Sequence, residues 1–334
     1  MVTITDVARE AGVSVSTVSH VLNGTRFVKA ETRDRVRAAI ERLDYTPSSS
    51  AQSLKKNVTH TIGLIVTSST NPYFAEVVAR LEAELYAAGF NLILCNSGRD
   101  IDKQRSYIRT LKGRRIDGLL VLESVLSEAY LELLASCSFP VVLLDSDTPG
   151  LTSVSDDSEL GGYLATSQLI EQGHRAIGCI AGPEQHHQSR RRFRGFRRAL
   201  DEAGLPLEPD WVHAGNMDIE SGETAVRRLC GGPHRPTALF AFNDFSALGA
   251  IGQATRQGLQ VPGDLSVIGY DDIEIARLFT PALTTVRQQA GVLCREASRL
   301  LTSAIADKAT SVEHLKIAPQ LVVRDSVRAP GPGR

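Results

Sequence analysis

The sequence contains five cysteines and no C-x-x-C pair among them. Cys95, Cys137, Cys179, Cys230 and Cys294 lie tens of residues apart, which excludes zinc-ribbon and dithiol redox motifs. Four of them sit among apolar neighbours, as in "LILCN" and "IGCIAG", and read as reduced core thiols. No apolar run approaches the ~18–20 residues that span a bilayer, so no membrane contact is expected. The opening "MVTITDVARE" places charge ahead of any long apolar run, unlike a secretory signal, and a cytoplasmic location is expected.

Catalytic signatures are also missing. There is no G-x-G-x-x-G dinucleotide motif, no G-x-x-x-x-G-K-[ST] phosphate loop and no G-x-S-x-G elbow. The eight histidines are scattered, and His186-His187 has no third metal ligand at a suitable spacing. The chain is therefore expected not to be an enzyme and to need no cofactor or metal.

What is present is unevenly distributed. Net charge is −1, yet residues 1–60 carry nine Lys/Arg against six Asp/Glu, a small basic head on a mildly acidic body. The head reads as short helices. Thr3-x-x-Asp6 forms a capping box opening a helix to about Ala11, Gly12 ends it, and Ser14 caps a second through Leu22. Thr32 is expected to open a third helix, "TRDRVRAAIERLDY". In "GVSVSTVSHVLNGTRFV", Val18, Val21 and Leu22 can pack on Val7, Ala8 and Ala11. Val15, Ser16, Thr17, Ser19 and His20 then face outward. An uncharged face of hydroxyls, an imidazole and a valine suits base edges and thymine methyls in a major groove.

From residue 61 the texture changes to strand–helix alternation. "TIGLIV", "NLILC", "DGLLVL" and "PVVLL" read as strands, with helices near 73–89, 101–113 and 126–136 between them. After residue 160 come "RAIGCIAG", "TALFAF" and "LSVIGYDD". Such repetition gives parallel sheets covered by helices on both faces, in two lobes broken near Ser155–Gly162. The strand ends gather Asn71, Tyr73, Phe74, Asp145, Asn243, Asp244, Asp271, Asp272 and Gln288, amides and carboxylates with an aromatic wall, which suits a polyol in an interlobe cleft. In "SRRRFRGFRRAL", Arg190, Arg191, Arg194, Arg197 and Arg198 share a solvent arc. Arg192 points inward and needs a partner.

These motifs resemble, over essentially the whole chain, the lactose-repressor family of bacterial transcription regulators. The stretch "TITDVAREAGVSVSTVSHVLNGTRFVKAETRDRV" is similar to the family's DNA-binding head almost residue for residue. The resemblance implies an all-α helix-turn-helix head joined by a hinge helix to an α/β, periplasmic-binding-protein-like core of two parallel-sheet lobes. It implies residues 1–45 as the head, 46–58 as hinge, 59–160 plus about 289–319 as the first lobe, 161–288 plus about 320–328 as the second, and 329–334 as a disordered tail. It places Thr3, Val15, Ser16, Thr17, His20 and Arg26 on DNA. Ala51-Gln52-Ser53-Leu54 with Lys55 stands where the family's hinge ends in A-R-S-L, Leu54 being the minor-groove wedge.

The implied function is a ligand-responsive repressor that binds a near-palindromic double-stranded operator as a homodimer. Its small-molecule effector would sit against Asn71, Tyr73, Phe74, Asp145, Arg190, Arg192, Asn243, Asp271 and Gln288. "THTIGLIVTSSTNPYFAE", "KGRRIDGLLVL" and "FTPALTTV" fit the ribose-type members first and the purine-type second, so a ribose-type pentose is the expected effector. A purine or nucleoside effector, or a periplasmic-type sugar-binding protein without regulation, stands as the alternative. Three departures alter the pocket: Ser146 replaces a large aromatic, Met217 replaces Phe, and Asp157 follows Asp156 where Asp-Asn is usual.

Overall fold

The computed structural model describes residues 2–45, 58–123, 125–146, 148–232, 234–307 and 311–331. The chain divides into two compact units, Met1–Thr59 and His60–Arg334.

In the first unit, α1 (Ile4–Ala11) opens on the expected capping box. The Thr3 side chain accepts from the Asp6 amide while Asp6 reaches back to the Thr3 amide. Gly12 ends it in the left-handed region, φ 65°, where a Cβ would be strained. Ser14 caps α2 (Val15–Asn23). The third helix, α3, runs Ala30–Arg42, two residues earlier than expected, and its cap Lys29 makes no side-chain bond. Thr32 is therefore inside the helix and caps nothing. Val7, Ala8, Ala11, Val18, Val36 and Ala39 form the core, with Val21 and Leu22 partly buried against it.

The second unit contains two six-stranded sheets. The first has the order β11-β5-β4-β3-β1-β2, and the second β12-β10-β9-β8-β6-β7. In the first, β1 (Thr61–Val66), β2 (Asn91–Asn96), β3 (Gly118–Leu122), β4 (Val141–Leu144), β5 (Thr152–Asp156) and β11 (His314–Ile317) are all parallel. In the second, β6 (Ile177–Ala181), β7 (Val212–Ala214), β8 (Ala238–Ala241), β9 (Ser266–Asp271) and β10 (Thr284–Arg287) are parallel, and β12 (Gln320–Val322) runs antiparallel to β10. Parallel strands need crossovers. The helices α4 (Pro72–Ala87), α5 (Ile101–Gly113), α6 (Glu128–Ala135), α7 (Ser158–Glu171), α8 (His187–Glu202), α9 (Ile219–Leu229), α10 (Asp244–Arg256), α11 (Glu274–Leu278) and α12 (Ala290–Asp307) supply them or cover the faces.

Both faces of each sheet are covered, and the strand period of two sorts the side chains. In β1, Ile62, Leu64 and Val66 enter one apolar cluster, while Ile65 enters another with Leu119, Val121 and Leu143. Cys179, Phe240, Ile268 and Tyr270 of the second sheet pack with Phe196 and Leu200 of α8. All five cysteines are unpaired and four are buried. The helices α7 and α8 approach very closely. A Cβ on Gly162 of α7 would lie 2.1 Å from the Arg192 carbonyl oxygen, and one on Gly195 of α8 would lie 2.0 Å from the Glu159 carbonyl oxygen. Glycine at these positions sets the distance between α7 and α8, and so where Arg192 stands. No helix among the described residues is long and apolar enough to cross a membrane.

Candidate functional site

Two surfaces carry the residues singled out from the sequence. In the head, Val15, Ser16 and Arg26 are exposed and Thr17 and His20 half-buried. The hydroxyls of Ser16 and Thr17 each lie 2.8 Å from that of Ser14. His20 Nδ1 lies 2.8 Å from the Thr25 hydroxyl, which fixes the ring and leaves Nε2 for another partner. Ser19 is drawn into the fold, its carbonyl accepting from Asn23 Nδ2 at 2.8 Å. The Thr3 hydroxyl donates to Asp6 at 2.7 Å, so it is already engaged in the cap. Phe27 is 93% exposed, and nothing among the described residues of the unit explains an aromatic in that position. Ser53, Leu54 and Lys55 lie outside the described residues.

The second surface is the cleft at the carboxyl ends of the two sheets, enclosing about 480 Å³ of space, part of it open to solvent. Asn71, Tyr73, Phe74, Asp145, Arg192, Asn243, Asp271 and Gln288 all line it. Arg190 does not: it is exposed and donates to the Glu184 carbonyl at 2.8 Å. Its place on the outer arc of α8 explains the difference, because only one arginine of the run can face inward at that turn.

Arg192 is that arginine, 5% exposed. It donates to the Phe242 carbonyl oxygen at 2.7 Å and lies 3.6 Å from Asp271 Oδ1. Its guanidinium carbon lies 3.5 Å from the Tyr270 ring centroid and 4.4 Å from that of Phe242. Gln288 Nε2 donates to Asp271 Oδ1 at 2.7 Å, while Gln288 Oε1 and Arg192 Nε have no hydrogen-bond partner among the described residues. Burial pushes Asp271 up to about 6, opposed by the Arg192 charge and the Gln288 bond. On the facing lobe, Tyr73 donates to Asp145 at 3.0 Å, and burial raises the Asp145 carboxyl.

Two of the expected contacts have local duties. Asn71 caps α4, accepting from the Tyr73 amide at 2.9 Å. Asn243 caps α10, accepting from Ser246 at 2.9 Å, and donates to the Met217 carbonyl at 2.9 Å. The departures fall unequally. Met217 lines the cleft at φ 69°, whereas Ser146 is buried against Thr148, 3.0 Å away. Asp157 accepts from the Leu160 amide as the cap of α7 and adds no carboxylate to the cleft.

Glu123 and His186 line the cleft without having been singled out. His186 is 8% exposed, lies edge-on to Phe242, and neither ring nitrogen has a partner among the described residues. Burial, with the charges of Arg192 and Arg99, pushes it down to about 3, so the ring is neutral with one donor and one acceptor on offer. In sequence it looks like half of a polar His-His pair. Its burial comes from Phe242, more than fifty residues away, and no local pattern announces that.

Residues 3–48 match the pattern described as bacterial regulatory proteins, lacI family, and residues 166–327 match a periplasmic binding protein-like domain. The chain is 44% identical over 331 residues to the HTH-type transcriptional repressor PurR of Photobacterium profundum, covering 98% of this chain and 99% of that protein. It is similar to the lac repressor dimer bound to operator and the anti-inducer ONPF, with a TM-score of 0.90, 29% identity, and 98% and 99% of the two chains covered. A LacI family regulator from Enterococcus faecium with bound ribose gives a TM-score of 0.73 at 29% identity, covering 80% of this chain and 99% of that one. The expected order, ribose-type before purine-type, is not supported: the ribose-bound regulator is similar at 29% identity and the PurR protein at 44%.

Proposed function

The chain belongs to the lacI family of bacterial regulatory proteins and is a ligand-responsive repressor, not an enzyme; on that premise we propose that its effector is a purine-type heterocycle rather than a free pentose. The observation that carries this reading is the set of unsatisfied groups in the cleft. Gln288 Oε1, Arg192 Nε and the His186 nitrogens belong to the same cleft lining as Phe74 and Asp271, so unpartnered donors and acceptors share the site with an aromatic ring. A planar ring with amide-like edges satisfies such a set through paired hydrogen bonds while stacking on an aromatic face. The full-length likeness to PurR proteins supports the same choice.

In this reading a homodimer places two heads on a near-palindromic operator, with Val15, Ser16 and His20 toward base edges and Thr17, Thr3 and Arg26 toward the backbone. Leu54, with Ser53 and Lys55, acts in the minor groove between them. Selecting operators from a random DNA pool with full-length protein tests the DNA half. A near-palindromic consensus is expected. Ser16→Ala and His20→Ala each relax preference at one or two positions per half-site, by about 1–3 kcal/mol. An unchanged consensus in both variants rejects the assignment. For the effector half, purine bases are expected to raise the melting temperature of the protein while ribose leaves it unchanged.

A further inference from the structure

Beyond the cleft lies a second compartment of about 710 Å³, also partly open to solvent, and the two share Glu123, His186 and Met217 as a common wall. Its remaining polar lining is Arg99, Gln104, Ser127 and Gln185, with Ile101, Val125 and Pro183 as apolar lining. The shared wall is unsatisfied. Glu123 is 6% exposed; its Oε2 accepts from the Thr67 hydroxyl at 2.8 Å while its Oε1 has no partner among the described residues. His186, 8% exposed, has two unpartnered nitrogens. Buried polar atoms are rarely left so, and three of them, on two side chains, stand at the boundary between the compartments.

We propose that the second compartment receives a pentose joined to the heterocycle, so that the effector is a purine ribonucleoside rather than the bare base. This rests on the purine reading of the cleft. Amides, a hydroxyl and one carboxyl are the side chains that bind sugar hydroxyls. A phosphate calls for several cationic donors converging on one point, and among the described residues Arg99 is the one cation in the lining, which also holds the Glu123 carboxyl. Burial raises the Glu123 carboxyl, opposed by hydrogen bonds from Ser97, Thr67 and Gln104 and by the Arg99 charge.

Calorimetric titration of the full-length protein with adenine, guanine and hypoxanthine, their ribonucleosides, their 5′-monophosphates, and ribose tests this. For at least one pair the ribonucleoside is expected to bind about tenfold tighter than its base. Val125→Trp fills the second compartment from its rim, where Val125 is 39% exposed; it is expected to abolish the difference while binding of the base holds. If the bases bind and no nucleoside binds tighter, the inference fails and the purine reading survives. A nucleoside preference that persists in Val125→Trp places the sugar elsewhere and overturns the inference. A monophosphate that binds about tenfold tighter than its nucleoside overturns the pentose as the terminal group. If neither bases nor nucleosides bind, the purine reading itself falls.

Discussion

The hydroxyl of Tyr270, near the end of β9 in the second sheet, donates to Asp156 Oδ2 at the end of β5 in the first. This bond joins the two lobes. Tyr270 also carries Arg192 against its ring, so the contact between the lobes and the main cation of the site share one side chain. Tyr270→Phe keeps the stacking surface and removes the donor. It is expected to lower the stability of the His60–Arg334 unit by about 1–3 kcal/mol in denaturant melts, with effector affinity changing less than stability. Unchanged stability would show that the bond contributes nothing.

Asp156 titrates through this contact. Burial pushes it up to about 7 from 3.8, with the Tyr270 and Ser158 bonds and the Arg192 charge opposing. In the folded protein it therefore holds a proton that the unfolded chain releases near pH 4. Its contribution to stability is full below that point and is lost as pH rises through about 7, by roughly 4 kcal/mol at the limit. The stability difference between the wild type and Asp156→Asn, followed by denaturant melts from pH 4 to pH 8, should move in the variant's favour as pH rises. A flat difference contradicts the assignment.

Gly162→Ala tests how helix spacing controls the site. The new methyl meets the Arg192 carbonyl oxygen, which is backbone and has no rotamer to escape into. Overpacking of this kind costs about 1–3 kcal/mol. Because α8 carries Arg192, effector affinity should fall about tenfold along with the melting temperature. Gly232→Ala, with nothing near its Cβ, is the control and should change neither.

Removing the cleft's own polar groups separates affinity from folding. Gln288→Leu deletes the donor to Asp271 and the unpartnered Oε1. Leaving an effector donor unpaired in a buried cleft costs about 1–3 kcal/mol, so effector binding measured by calorimetry should weaken by about 5- to 150-fold. Arg190→Ala, on the exposed arc, should leave binding within about twofold; a large loss there would return Arg190 to the site.

What could be read from the sequence followed the range of the interactions involved. The Thr3–Asp6 box and the Gly12 stop are local, spanning three or four residues, and both helix ends fall where the motif puts them. The apolar strands β1 to β4 announce themselves by composition. Composition does not mark β5, "TSVSD", β10, "TTVR", β11, "HLKI", or the three-residue β7 and β12 as strands, because they are polar or short and owe their existence to a neighbouring strand. Arg192 was legible because an arginine on the Phe196 side of a helix has to be buried. His186 was not, since the group that buries it arrives from β8 and the loop beyond it.

In the proposed function, purine chemistry in the cleft controls DNA affinity at the head. Operator binding by the full-length protein, at fixed salt and on a selected near-palindromic site, measures this directly when titrated in parallel with purine bases, their ribonucleosides and ribose. A 5- to 150-fold change in affinity is expected with a purine compound, a coupling of about 1–3 kcal/mol, and no change with ribose. A response to ribose alone, or to none of them, would contradict it.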